Sequence, residues 1–125
     1  MDQKVCLDTD VCIAIVRQQG PYKEILRKAF SLRAYITAIT LFELLLRETN
    51  IYQIENFIKD LELLSFDSIA ARKASGIQKE LKAKGRIIDI RDLFIASASI
   101  ANNCILATLN KKHFENIKGL KLLDF

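Results

Sequence analysis

The chain has 125 residues, 50% of them hydrophobic and 27% charged, which implies one compact core and excludes intrinsic disorder and fibrous repeats. Its 19 Lys and Arg against 15 Asp and Glu leave +4, a balance that admits a polyanionic partner without demanding one. No apolar run reaches the ~18 to 20 residues of a bilayer span and the first residues do not read as a signal peptide; a single cytoplasmic domain over residues 1–125, away from membranes, is therefore expected.

Val5–Leu7 reads as a first strand that stops at Asp8, and Val11, Ile13, Ala14 and Ile15 continue as a helix halted by Gly20-Pro21. Pro21 suits the first turn of a second helix. Ala34–Thr37 is a second strand, followed by a helix from Leu41 to about Glu48 and another whose apolar face is Ile51, Ile54, Phe57, Ile58 and Leu61. Leu63–Phe66 is the third strand. Ser68 is placed to cap a long helix that carries Ala71, Ala74, Ile77 and Leu81 and ends at Gly85. The next helix, about Ile90 to Asn102, is apolar nearly all round, the pattern of a helix in the middle of a structure. Cys104–Ala107 forms a fourth strand, Lys111–Asn116 a short helix and Leu120–Leu123 a fifth strand. Strands separated by helices pair in parallel through right-handed crossovers. The expected fold is α/β, a three-layer α/β/α sandwich around a five-stranded parallel sheet. Cys6, Cys12 and Cys104 lie among apolar residues without a CxxC pair, as reduced core thiols do, and a lone His113 cannot make a multi-histidine metal site.

In an open parallel sheet the ligand site lies outside the carboxyl ends of the strands. Asp8 and Asp10 follow the first strand, Glu43 comes just after the second, Asp89 and Asp92 open the central helix and Asn110 follows the fourth strand. Carboxylates gathered at one edge repel one another unless a cation neutralises them. Hard oxygen donors suit Mg²⁺ or Mn²⁺, and such an ion can activate a water and offset charge on a phosphodiester. Helix capping competes for every one of these residues. Thr40-Leu41-Phe42-Glu43 matches a capping box, and Asp8, Asp10, Asp89 and Asn110 stand where helices begin. Capping leaves unexplained why an aspartate directly ends an apolar strand and why all these positions converge on one edge.

Four segments carry a resemblance: Val5-Cys6-Leu7-Asp8-Thr9-Asp10, Ala38-Ile39-Thr40-Leu41-Phe42-Glu43-Leu44, Asp92-Leu93-Phe94-Ile95-Ala96-Ser97-Ala98 and Thr108-Leu109-Asn110-Lys111-Lys112-His113-Phe114. In order and spacing they resemble the four blocks of PIN-domain proteins, closest to the VapC toxins of toxin–antitoxin pairs, over nearly the whole chain. The resemblance implies a Mg²⁺- or Mn²⁺-dependent endoribonuclease that acts on RNA, is restrained by a cognate antitoxin and forms a homodimer. Carried over by position, Asp8, Glu43 and Asp92 match the acidic metal ligands, and Asn110 falls where many relatives have a fourth acid and would orient a water. Asp10, Thr40, Asp89 and Thr108 would support them.

Charge is unevenly spread. Between Arg72 and Arg91 stand Arg72, Lys73, Lys79, Lys82, Lys84, Arg86 and Arg91 against only Glu80 and Asp89, whereas Glu48 to Asp67 has Lys59 as its one base. Lys82, Lys84, Arg86 and Arg91 lead into the proposed acid cluster and could guide a phosphate backbone towards it; an ordinary solvated helix face gives the same pattern. Two other readings of the acids are weaker. A receiver domain requires a lysine after its fifth strand, and a haloacid-dehalogenase-like phosphatase wants Thr or Val where Cys12 stands. A catalytically silent PIN-like module that binds RNA or protein, and an rRNA-processing nuclease without an antitoxin, remain open.

Overall fold

Val5 and Leu7 of the first strand face one side and Cys6 the other, and all three are fully buried. A strand of that kind needs cover on both faces. The computed structural model, which describes residues 3–125, provides it. The elements run β1 (Lys4–Leu7), α1 (Thr9–Arg17), α2 (Tyr22–Ala29), β2 (Arg33–Thr37), α3 (Ala38–Leu45), α4 (Ile51–Ile58), β3 (Glu62–Leu64), α5 (Ser68–Ala83), α6 (Ile90–Ala101), β4 (Cys104–Ala107) and α7 (Lys111–Phe114). All strand pairs are parallel, in the order β3-β2-β1-β4, with Val5 opposite Ala34 on one side and Ile105 on the other.

Helices α1 to α4 cover one face of the sheet, where Val11, Ile15, Ile25, Leu44 and Ile54 meet Val5, Leu7 and Ile36. Helices α5 and α6 cover the other, where Ala74, Ile77, Leu81, Leu93 and Ile95 meet Cys6, Tyr35 and Leu106. This is the expected three-layer sandwich. Burying each large aliphatic side chain contributes roughly 1.5 to 3 kcal/mol, which is how helices as short as α2 and α4, marginal in isolation, are held. The three cysteines are buried and free, and burial pushes the Cys6 thiol up to about 12, as packing residues rather than reactive ones. No helix among the described residues is long and apolar enough to cross a membrane.

The expected fifth strand is corrected. Among the described residues the sheet has four strands, and Leu120–Leu123 contributes only an isolated parallel bridge, Leu106 to Leu122. Leu106 exchanges backbone hydrogen bonds with Lys121 and Leu123, both 2.8 Å. Upstream, Gly119 takes φ +84 and the Leu120 amide bonds back to Ile117, so a turn brings the segment to β4 for one register position only. Leu122 and Leu123 still pack on opposite faces, which is the alternation that resembles a strand in the sequence.

Two caps also differ. Asp67, not Ser68, caps α5, accepting from the Ala70 amide at 3.1 Å. Helix α3 starts at Ala38 rather than Leu41, with Thr37 as its cap accepting from the Thr40 amide. Thr40 therefore lies inside the first turn and the capping box it forms with Glu43 on paper does not exist. That releases Glu43 for another role.

Candidate active site

The direction of travel across the sheet reverses between β1 and β4, which are neighbours although the chain visits β2 and β3 between them. Beyond their carboxyl ends a cavity of about 300 Å³ is lined by Asp8, Thr9, Asp10, Glu43, Asp89, Arg91, Asp92, Asn110 and His113. Five carboxylates from three separate segments thus share one opening, with Asn110 and His113 from a fourth. The convergence expected at this edge is present.

Asp8 is the anchor. Its amide bonds to the Ala107 carbonyl at 3.0 Å, tying the end of β1 to the end of β4. Its side chain is buried at 4% exposure and is held by two donors: the Thr9 amide on Oδ1 at 2.6 Å and the buried Thr108 hydroxyl on Oδ2 at 2.8 Å. Burial, with Asp92 and Asp10 nearby, raises its carboxyl to about 6 against the pull of Thr108. Asp92 is raised as well, first by burial and then by Asp89, with His113 opposing. His113 Nδ1 stands 3.8 Å from Asp92 Oδ2.

Glu43 is positioned through contacts that sequence spacing does not reveal. The Thr9 hydroxyl donates to Glu43 Oε1 at 2.7 Å and lies 3.1 Å from the Thr40 hydroxyl, while Arg91 Nη1 donates to Glu43 Oε2 at 3.1 Å. Arg91 also reaches Asp89, whose side chain accepts the Arg91 amide at 2.9 Å as the cap of α6. That backbone bond, and the guanidinium beside it, hold Asp89 below the usual carboxylate value. Asn110 donates from Nδ2 to Asp10 Oδ2 at 3.0 Å, and its amide donates to the Thr108 hydroxyl. Helix α7 has four residues, too few to stand alone; the fully buried Phe114 pins it and with it Asn110 and His113.

Of the basic residues expected to guide RNA, Arg91 lines the acid cavity itself, paired with Glu43. Arg86 lines the neighbouring cavity. Lys82 and Lys84 are exposed near the end of α5 and line neither; Lys84 pairs with Glu80 at 3.3 Å. Thr9 and His113 were missed as site residues. The only trace of Thr9 is a hydroxyl between two aspartates at a strand end, and its reach to Glu43 crosses 34 positions.

The candidate ligands Asp8, Glu43 and Asp92 are all hard oxygen donors, and two of these carboxyls are raised, first by burial and then by neighbouring acids, which is the chemistry that suits Mg²⁺ or Mn²⁺. Among the described residues no three side chains form a ready-made cage for an ion. An open site of this kind fits an ion that keeps several waters and takes few protein ligands directly.

The comparisons with known proteins agree with this geometry. The family model of the PIN domain matches residues 5–120. The VapC of Salmonella typhimurium, named a tRNA(fMet)-specific endonuclease, is 33% identical over 98% of both chains. Ribonuclease VapC1 of Methanocaldococcus jannaschii is 36% identical over 98% of this chain and 89% of its own. Among solved structures, VapBC2 from Rickettsia felis bound to a promoter DNA fragment superposes with a TM-score of 0.86 at 30% identity, covering 98% of this chain and 99% of that one. The blocks, the cavity they build and these relatives lead to one conclusion: the chain belongs to the PIN domain family and, within it, to the VapC branch.

Proposed function

We propose that this chain is a Mg²⁺- or Mn²⁺-dependent endoribonuclease that hydrolyses RNA phosphodiester bonds, the toxin of a toxin–antitoxin pair, acting as a homodimer restrained by a cognate antitoxin. The observation that carries the reading is Asp8, a buried carboxylate fixed by two donors and crowded by Asp92 in a cavity open to solvent. Crowded carboxylates cost stability, and sites that retain them use the charge. The ribonuclease names of relatives at 33% and 36% identity support the reaction, and the VapBC complex of Rickettsia felis supports an antitoxin partner.

Asp8, Glu43 and Asp92 are the residues that would hold the ion. When bound, it supplies positive charge against the phosphate and lowers the pKa of water. The chain does the rest. Thr108 and the Thr9 amide fix both oxygens of Asp8, and the Thr9 hydroxyl with Arg91 fixes both oxygens of Glu43. Asn110, steadied by Asp10, offers an amide at the cavity to orient a water, and Arg91 offers a cation to the phosphate.

The test is cleavage of an RNA mixture with Mg²⁺ or Mn²⁺, with EDTA, and with Asp92→Asn after circular dichroism has shown the fold intact. Loss of cleavage in the last two arms is expected. Undiminished cleavage by Asp92→Asn would overturn the reading, and a wild-type protein without activity would return the chain to a silent binding module.

A further inference from the structure

A second cavity, of about 350 Å³, opens beside the acid cavity, and Asp89, Asp92 and His113 line both. The two therefore adjoin, with these three residues common to both walls. They differ in chemistry. The floor of the second cavity is aliphatic, built by Leu81 at the end of α5, Ile88 in the loop before α6, and Ile117 after α7. Its rim is polar and basic, with Arg86, Lys112 and Asn116. Ile87 also lines it, and at 99% exposure this large aliphatic side chain has almost no cover from the rest of the protein.

We infer that this cavity is a nucleobase subsite, taking the base next to the phosphate that lies over the acid cavity. The inference rests on the ribonuclease reading above for the position of that phosphate. A nucleobase is flat and apolar on its faces and polar along its edge, so it needs an aliphatic or aromatic surface to lie on and an amide or charge to meet its edge. The floor supplies the first, together with the His113 ring between the cavities, and the Asn116 amide supplies both a donor and an acceptor for the second. Arg86 and Lys112 at the mouth complement the phosphates on either side of the bound base. The volume stands at the low end of the ~300 to 1,000 Å³ of small-molecule sites, which suits one nucleoside. Covering Ile87 removes an exposed apolar side chain from water. An acid cavity alone reads only the phosphate; this neighbour would give the enzyme a preference for sequence.

The experiment titrates the ¹⁵N-labelled protein, without divalent metal, with each of the four nucleoside monophosphates and with ribose 5-phosphate. Nucleotides are expected to shift the amides of Ile87, Ile88, Asn116 and Ile117, with one base favoured, while ribose 5-phosphate leaves them in place. Asn116→Trp, which fills the cavity from its exposed rim, should weaken nucleotide binding about tenfold or more. In cleavage, an oligonucleotide with an abasic residue on one side of the cut bond should be cut about tenfold more slowly by the wild type, and no more slowly than the intact strand by Asn116→Trp. Equal shifts with ribose 5-phosphate, or none with any nucleotide, would overturn the subsite. Nucleotide shifts in a protein that cleaves no RNA would support it and remove the ribonuclease reading instead; cleavage without such shifts would do the reverse.

Discussion

Asp8 and Asp89 do the same local job on two sides of one cavity. Each occupies the cap of a helix and accepts a backbone amide, at 2.6 Å from Thr9 and 2.9 Å from Arg91. Their electrostatics run in opposite directions. Asp8 is buried with Asp92 and Asp10 near it and, among the described residues, no cation paired with it, and its carboxyl is raised to about 6. Asp89 is half exposed against Arg91, and its carboxyl is lowered. Capping therefore does not separate a structural acid from a functional one. What separates them is whether the fold leaves the charge unneutralised in a buried place.

The strongest way to break this contrast is to convert both carboxylates to amides. Asp8→Asn removes a charge that nothing else in the cavity replaces, and cleavage should fall about a thousandfold or more, as losing several kcal/mol of charge stabilisation requires. Asp89→Asn keeps a capping oxygen and should leave kcat/KM within a few-fold. Comparable losses in both would show that the two acids play one role.

The next effect is on stability. A carboxyl raised on folding favours the fold while protonated, so the contribution of Asp8 is complete below its unfolded value of 3.8 and is lost as pH rises through about 6. At about 1.4 kcal/mol per pH unit, the gap amounts to about 3 kcal/mol. Asp89, lowered on folding, acts with the opposite sign, its contribution being lost as pH falls below the ordinary carboxylate value. Thermal denaturation in EDTA should show Tm falling between pH 4 and 7 in the wild type and much less in Asp8→Asn. Mg²⁺ should recover Tm at pH 7.5 and do little at pH 4.5. A Tm that falls as steeply in Asp8→Asn as in the wild type would place the titration elsewhere.

The smallest test sharpens what holds Asp8. Thr108→Val keeps the shape but removes the donor to Asp8 Oδ2 and the acceptor of the Asn110 amide. We expect a loss of about 1 to 3 kcal/mol by urea denaturation and a loss of cleavage of about 10- to 100-fold. Asp8 should also titrate higher, visible as a shift in the pH profile; an unmoved profile would mean that the hydroxyl supports the backbone alone.

Much of this was legible along the chain. Alternation at Val5, Cys6 and Leu7, the all-round apolar pattern of α6 and the acids at strand ends depend on near neighbours, and the structure places Asp8, Glu43, Asp92 and Asn110 around one cavity as expected. The errors have one cause. The fifth strand and the caps of α3 and α5 each depend on a partner that local pattern does not name: a single register position on β4, the Thr37 hydroxyl one turn earlier than Thr40, and Asp67 one residue before Ser68. A capping box and a first turn that faces a cavity look alike in four letters.

The sequence by itself determined the order of elements, the parallel class of the sheet and which acids reach its carboxyl edge, because period and punctuation are local properties of the chain. Tertiary structure alone decided which of those acids is buried, which is paired and which neighbouring wall is aliphatic. Those outcomes are set by distances across the fold, from Thr108 to Asp8 over 100 positions and from α5 to α7 around the second cavity. Desolvation and charge pairing act through space, so the same carboxylate can be a cap or a crowded ligand according to what folds against it.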